Sequence, residues 1–300
     1  MKTILVPLDG SPLAETVLPI VTELACDGRC SVTLLSVWEV TPEEAALVGD
    51  EHVRKLREQG TKSFKAYLTN VAEGLSQRGL EVNTEVVSGH PAGEILAAAA
   101  AFKPDIVAMA SKGRGGEETF GRRGSVAEKV LRASALPVLI LGPRLLERGS
   151  MEDVALRSIL VPLDGSGASE AALPVAIDLA RGREAEITLL RVVPPLSPPA
   201  PGPPQEGPPP ELEERRREAA IAYLADLQDR FGEAAWASFV EQGDARREIA
   251  AFVDREHVDL VVMASRSRYD STQWQLGGVA DAVIESSAPV LLVPPQKPRG

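Results

Sequence analysis

The chain has little of what metal-binding proteins require. It contains only two cysteines and three histidines, and the histidines are scattered at positions 52, 90 and 257. Cys26 and Cys30 form a C-x3-C pair, but no second cysteine pair exists to complete a zinc site. We therefore interpret the two as small residues at a helix-to-strand junction. Low cysteine use is consistent with a reducing compartment.

Long apolar runs are also missing. The first apolar stretch covers about five residues before Pro7 and Asp9 interrupt it, which is too short for the core of a signal peptide. Nowhere does the sequence reach the roughly 18 consecutive apolar residues of a membrane span. A net charge of −11 and a pI of about 5.0 argue against general binding to nucleic acid or anionic membranes. We expect a cytoplasmic protein with neither partner, in which any anion site is local.

Familiar catalytic and nucleotide motifs are absent as well. The run 116–123 reads Gly-x4-Gly but continues with two arginines, so it is not a Walker A loop. The first predicted strand is followed by Asp-Gly-Ser at 9–11, where a dinucleotide fingerprint needs Gly-x-Gly-x-x-Gly. Neither Gly-x-Ser-x-Gly nor His-Glu-x-x-His occurs. Asp9 and Asp164 have no acid/base partner in sequence, and we find no catalytic residues.

What the chain does contain is a repeat of itself. "ILVPLDGS" at Ile4–Ser11 recurs letter for letter at Ile159–Ser166. "DIVAMAS" at Asp105–Ser111 is answered by "DLVVMAS" at Asp259–Ser265. Two further pairs of similar segments occur in the same order in both halves, so the chain is a duplicated domain.

Within each copy, short apolar strands alternate with helices, which predicts a parallel sheet covered on both faces. We expect two tandem open, doubly wound α/β domains with five-stranded sheets, at residues 1–146 and 155–297. The predicted strands of the first copy are 3–7, 31–37, 80–87, 105–110 and 137–141. The predicted helices are 12–26, capped by Ser11, then 51–77, 91–102 and 124–132.

One segment belongs to the second copy alone. Pro194–Pro210 holds ten prolines in seventeen residues. This composition cannot form a core and predicts an extended, polyproline-like surface loop. The alternative is a PxxP ligand for a partner module.

The loop after the fourth predicted strand has the composition of an anion site. Between Ser111 and Arg123, four basic residues face two glutamates, a local charge of +2 in an acidic chain. Its glycines allow backbone N–H groups to approach a phosphate, and Gly124-Ser125 opens a helix whose N-terminus favours anions. If strands one and four are neighbours, this loop meets Asp9 across one crevice. The alternative is a mobile glycine-rich loop before a capped helix.

These residues resemble the universal stress protein family, over essentially the whole chain. The resemblance rests on "ILVPLDGS", "GRGG", "GSVAEKVLRASALPVLIL" and "GGVADAVIESSAPVLLV", and it implies an adenine-nucleotide alpha-hydrolase-like fold. The family's ATP signature is Gly-x2-Gly-x9-Gly-Ser/Thr. In the first copy the signature starts at Ala110 instead of glycine, and ten residues separate Gly113 from Gly124. One extra residue at a loop tip is tolerable if the loop ends keep their places.

The resemblance implies an ATP site in the first copy, with Mg²⁺ near Asp9. The residues implied are Pro7, Leu8, Asp9, Val37, Met109, Ala110, Lys112, Gly113, Arg114, Gly124, Ser125 and Val126.

The second copy departs further from the signature. Ser267 stands where close approach needs glycine, and Gly278 lacks the hydroxyl of Ser125. We expect a weaker, altered or absent site there. The corresponding residues are Pro162, Leu163, Asp164, Val192, Met263, Ala264, Arg266, Ser267, Gly277, Gly278 and Val279.

By resemblance, the chain is an ATP-binding regulatory protein of the stress response, at most a slow ATPase. The alternative is a stress protein that binds no nucleotide and acts through protein contacts. The family also implies pairing through the last strands, 138–140 and 290–292, which would give an intramolecular pseudo-dimer and allow a homodimer.

Overall fold

The computed structural model describes residues 2–25, 30–39, 42–113, 123–147, 154–196, 210–232, 236–265 and 277–294. Contacts divide these described residues into two compact units, one up to residue 155 and one from residue 156 onwards. Within the described ranges, no helix combines the length and the apolarity needed to cross a membrane.

Strands and helices alternate along both units. The elements of the first unit are β1 (Lys2–Pro7), α1 (Pro12–Glu15), α2 (Leu18–Ala25), β2 (Cys30–Trp38), α3 (Pro42–Ser76), β3 (Glu81–Ser88), α4 (Pro91–Phe102), β4 (Ile106–Ala110), α5 (Ser125–Ala133), β5 (Val138–Leu141) and α6 (Pro143–Glu147). Those of the second unit are β6 (Ser158–Leu163), α7 (Gly167–Glu170), α8 (Ala172–Ala180), β7 (Glu186–Val193), α9 (Pro210–Phe231), β8 (Trp236–Gln242), α10 (Ala245–Arg255), β9 (Leu260–Ala264), α11 (Gly278–Ile284) and β10 (Val290–Val293).

Each unit contains five parallel strands in the same spatial order. The first unit runs β3-β2-β1-β4-β5 and the second runs β8-β7-β6-β9-β10. In the first unit, Ile4 of β1 is in register with Val32 on one side and Ile106 on the other. The inner strands are almost entirely buried, as expected for a parallel sheet with helices on both faces. The predicted pair of tandem, doubly wound α/β domains is confirmed.

The first predicted helix differs from the observed structure. The sequence predicts one helix over 12–26, but the chain forms α1 and α2 with a break at Thr16 and Val17. Pro19 has no N–H to donate to the carbonyl of Glu15, so a continuous helix would lose a hydrogen bond there and its ring would clash. The second unit repeats the break between α7 and α8, before Pro174. In addition, α3 begins at Pro42 instead of residue 51.

Two further sequence features are only partly described. Cys30 is buried at the start of β2, with its thiol 3.5 Å from the carbonyl oxygen of Leu24, whereas Cys26 lies outside the described residues. Of the proline-rich segment, residues 197–209 lie outside them, and Pro210 begins α9.

Candidate functional site

The first unit has a cavity where the carboxyl ends of β1 and β4 lie side by side. The connection after β2 continues away from β1, while the connection after β3 returns to the other side of β1. Such a reversal of strand order opens a crevice beyond the strand ends. The cavity has a volume of about 270 Å³ and is bordered by the first turns of α4 and α5.

The lining residues come from the ends of the inner strands and from these helix starts. They are Pro7, Leu8, Asp9, Ala14, Leu35, Val37, Pro91, Ile95, Met109, Ala110, Ser111, Lys112, Gly113, Gly124, Ser125, Val126 and Ala127. Eleven of the twelve residues predicted for the first copy are among them. The twelfth, Arg114, lies outside the described residues.

Six lining residues were not predicted from the sequence. Leu35 could have been found, because it lies two positions before Val37 on the same strand and hence on the same face of the sheet. Pro91 and Ile95 belong to α4, and nothing in the sequence places that helix beside the crevice. Ala14, Ser111 and Ala127 are the others.

The carboxylate of Asp9 is held in place at the end of β1. Its Oδ1 accepts hydrogen bonds from the backbone N–H of Ser11 at 2.9 Å and from the Ser11 hydroxyl at 2.6 Å. The Ser11 hydroxyl also accepts from the backbone N–H of Ala14 at 3.2 Å and so caps α1. These bonds couple the position of Asp9 to the start of the helix.

Gly113 lies against the other carboxylate oxygen of Asp9. A Cβ built at Gly113 would be 2.1 Å from Oδ2 of Asp9. Because Oδ1 is already bound to Ser11, the carboxylate cannot swing away freely. A side chain at 113 therefore has no room while Asp9 keeps this position.

Backbone hydrogen bonds hold the two ends of the glycine-rich loop next to each other. The N–H of Gly124 donates to the carbonyl of Ser111 at 2.7 Å, and the N–H of Ser111 donates to the carbonyl of Leu141 at 2.9 Å. A Cβ at Gly124 would lie 3.4 Å from the Ser111 carbonyl oxygen, so this approach is also close. The hydrogen bond between Gly124 and Ser111 therefore holds the two ends of the loop together. The extra residue between Gly113 and Gly124 does not separate them.

The start of α5 faces the cavity with its N–H donors. Gly124 is the N-cap residue and makes no side-chain capping bond. The first N–H groups of a helix have no partners within it, and they carry the positive end of the helix dipole. Among the described lining residues, Lys112 is the one cation and Asp9 the one carboxylate. This end of the cavity suits an anion.

The opposite wall of the cavity is apolar. Leu35 and Val37 of β2 and Ile95 of α4 form it. A ligand with a flat apolar part at one end and an anionic part at the other would match both walls, since ligand sites combine apolar surface with a few placed polar groups.

Ser111 leaves a buried hydroxyl without a partner in this cavity. The residue is fully buried, and its Oγ has no hydrogen-bond partner among the described atoms. Buried polar groups are rarely unpaired, so an orphan hydroxyl in a cavity wall indicates a group that a ligand or water completes. The matching Ser265 of the second unit differs, because its Oγ lies 3.4 Å from the carbonyl oxygen of Val293.

The second unit repeats the strand-end geometry. Oδ1 of Asp164 accepts hydrogen bonds from the backbone N–H and the hydroxyl of Ser166, as in the first unit. β6 pairs with β9, so the ends of these strands are again neighbours. The predicted residues at these ends are Pro162, Leu163, Val192, Met263 and Ala264. Gly277 is the N-cap of α11, followed by Gly278 and Val279, whereas Arg266 and Ser267 lie outside the described residues.

A cation lies beside the start of α11, but it is already paired. A Cβ at Gly278 would be 3.9 Å from Cδ of Arg246. The Arg246 guanidinium donates to both carboxylate oxygens of Asp244, at 3.2 and 3.0 Å. This side-chain bond, together with the one from the Arg246 backbone N–H, lowers the pKa of Asp244 to about 2. Sequence reasoning missed this pair.

Comparison with known proteins agrees with this architecture. The model of the universal stress protein family matches residues 1–142 and again residues 155–294. A universal stress protein of Mycolicibacterium smegmatis is 27% identical, covering 98% of this chain and 97% of that protein. Universal stress protein YxiE of Bacillus subtilis is 29% identical over 46% of this chain and 96% of its own length. The crystal structure of a universal stress protein from Archaeoglobus fulgidus has a TM-score of 0.67 at 20% identity, covering 97% of this chain and 98% of that one.

Proposed function

This chain belongs to the universal stress protein family, with two such domains in tandem, and we propose that it binds ATP in the cavity of its first domain. The observation that carries the proposal is the contact between Gly113 and Asp9, which leaves no room for a Cβ in the loop that borders the cavity. Together with the N–H groups at the start of α5, it gives a backbone-lined cradle of the kind that phosphates use.

The described residues fit an adenine nucleotide at both ends. The apolar wall of Leu35, Val37 and Ile95 suits the base. Lys112 and the first turn of α5 suit the phosphates, and the Ser111 hydroxyl supplies a polar group between the two. Mg²⁺ bound with the nucleotide would find a carboxylate at Asp9, which Ser11 holds at the edge of the cavity.

We propose that occupancy by ATP, not turnover, is the functional signal. Hydrolysis needs a positioned base, and the one carboxylate among the described lining residues is Asp9. Its Oδ1 already accepts two hydrogen bonds from Ser11. The role is then regulatory, in a cytoplasmic protein that acts in a stress response.

The second domain is proposed to contribute less nucleotide binding. The Ser265 hydroxyl has an acceptor within the protein at 3.4 Å, the Val293 carbonyl oxygen, and the Arg246 guanidinium is paired with Asp244. Gly278 offers no hydroxyl at the helix start. The two serine positions therefore offer less to a ligand than Ser111 and Ser125 of the first domain, and the cation beside α11 is already paired.

Calorimetric titration of the full chain with Mg-ATP tests the proposal. We expect saturable heat with about one nucleotide per chain, and a rise in the unfolding temperature, because a ligand that binds the folded state stabilises it. Absence of both at millimolar ATP would favour the alternative of a stress protein that acts through protein contacts. Phosphate release above that of a Gly124→Trp variant would instead indicate a slow ATPase.

A further inference from the structure

The first unit has a second, cationic groove on the opposite face of its sheet. Successive residues of a strand point to opposite faces. Val37 lines the first cavity, and the next residue, Trp38, faces α3, where a Cβ on Gly60 would lie 3.2 Å from the indole ring. The groove beside Trp38 has a volume of about 490 Å³. Its lining residues are Trp38, Arg57, Glu58, Thr61, Lys62, Lys65 and Ser88.

The groove gathers positive charge in an acidic chain. Arg57, Thr61 and Lys65 follow one another at four-residue spacing, which places them along one side of α3 over about 12 Å. Lys62 joins them, and Glu58 is the one carboxylate among the lining residues. No described residue forms an ion pair with Arg57, Lys62 or Lys65, although elsewhere on α3 Lys55 pairs with Glu51 at 3.0 Å. The net charge of the lining is +2 in a chain of −11.

Trp38 adds an unsatisfied donor beside these cations. Its side chain is buried, and its indole Nε1 has no hydrogen-bond acceptor among the described atoms. A buried N–H without an acceptor, in a side chain that lines a groove of cations, indicates that an acceptor, carried by a ligand or by its water, is missing beside the groove.

The second unit lacks this groove chemistry at matching positions. Tyr67 donates to Glu15 at 2.9 Å, and Tyr223 donates to Glu170 at 3.2 Å, so α3 and α9 correspond with an offset of 156.

At that offset the positions of the three cations are occupied differently. The second copy has Glu213 at the position of Arg57, Glu218 at that of Lys62 and Ile221 at that of Lys65. Trp38 corresponds to Val193 in the second unit. The carbonyl of Trp38 accepts a hydrogen bond from the N–H of Gly89, and the carbonyl of Val193 accepts one from the N–H of Gly243. The cations and the indole are therefore a feature of the first copy, not of the shared fold.

We infer that this groove binds a small multivalent oxyanion, such as a compound with several phosphate groups. Three cations within about 12 Å, none of them paired with a described residue, match several negative charges better than one. The volume is within the range of small-molecule sites. The groove lies on the other side of the sheet from the proposed ATP cavity, so it is a separate site and does not depend on the ATP proposal.

Calorimetric titration of the full chain with inorganic tripolyphosphate, without Mg²⁺, tests the inference. The double variant Arg57→Glu, Lys62→Glu installs the residues of the second copy at two exposed positions of α3, and glutamate keeps a high helix propensity. We expect its affinity for tripolyphosphate to fall by at least about tenfold, because two attractions become repulsions. The matched control, Arg215→Glu with Arg217→Glu on exposed positions of α9, changes the net charge equally and should keep the affinity of the wild type.

A spectroscopic readout locates the anion. The indole N–H signal of Trp38, identified in a two-dimensional ¹⁵N–¹H spectrum by its absence in Trp38→Phe, should shift on addition of tripolyphosphate in the wild type and not in Arg57→Glu, Lys62→Glu. Binding should also persist in Gly113→Val, which alters only the other cavity.

Three results would overturn the inference: no binding of tripolyphosphate, equal affinity in the two charge-reversed variants, or loss of binding in Gly113→Val alone. Mg-ATP titrations of the same variants keep the two proposals distinct. Failure of ATP to bind leaves the expected tripolyphosphate results unchanged.

Discussion

Replacing Gly113 by alanine tests the cradle directly. The added Cβ would lie 2.1 Å from Oδ2 of Asp9, well inside van der Waals contact. In the free variant, the loop or the carboxylate moves to relieve this contact. ATP binding as proposed requires both in their original places, so the strain returns when the nucleotide binds.

The size of the effect follows from what holds Asp9. Moving the carboxylate weakens two hydrogen bonds from Ser11, of 2.9 and 2.6 Å. A hydrogen bond to a charged group contributes about 1.5–3 kcal/mol, and water replaces part of this at a partly exposed residue. A net loss of about 1.5–3 kcal/mol corresponds to a ten- to hundredfold weaker affinity for Mg-ATP.

Calorimetry on four variants separates this cause from others. Gly93→Ala in α4 is the control, because a Cβ there meets nothing within 4 Å, so affinity should be unchanged. In an Asp9→Ala background the clashing oxygen is gone, and Gly113→Ala should have no further effect. Unchanged affinity in Gly113→Ala, or an equal loss with and without Asp9, would refute the reasoning.

Two other changes have definite expected outcomes. Ser111→Ala should leave the unfolding temperature of the free protein unchanged or slightly raised, because the hydroxyl has no partner there. It should weaken Mg-ATP binding two- to tenfold, about 0.5–1.5 kcal/mol, and an unchanged affinity would remove Ser111 from the site. Carbon-13 NMR should show Asp244 titrating with a pKa of about 2, so that its contribution to stability is present above the ordinary pKa of a carboxyl group and lost as the pH falls through about 2. Arg246→Ala should raise that pKa toward its ordinary value, and no change would mean that the side-chain hydrogen bond is not its main cause.

The sequence predicted the fold well because repetition and alternation are local signals. The octapeptide at Ile4–Ser11 and its copy at Ile159–Ser166 fixed the tandem organisation, and the apolar strands followed from composition. The break between α1 and α2 was missed although Pro19 lies inside the predicted helix, where a proline breaks or kinks it. In the structure Pro19 is the second residue of α2, where a proline is tolerated.

The candidate cavity was predicted in part. Loop composition and the family resemblance pointed to Asp9, Gly113 and Gly124, and these residues do lie around one cavity. The contribution of α4, and the contact between Gly113 and Asp9, depend on how distant segments pack. No periodicity within a single segment carries that information.

The cationic groove could not be predicted from the sequence for the same reason. From the sequence, this segment was predicted only as a helix over 51–77. Only packing of α3 against the end of β2 places Arg57, Lys62 and Lys65 beside Trp38. Comparison of the two copies then shows that these residues are particular to the first.

Photo-crosslinking with 8-azido-ATP, followed by peptide mass spectrometry, tests the central claim most directly. If the first domain binds ATP as proposed, the label should lie on peptides within residues 1–142, around Val37 of β2 or Ile95 of α4, and unlabelled ATP should compete with it. Label confined to residues 155–294, or label that millimolar ATP does not displace, would contradict the claim.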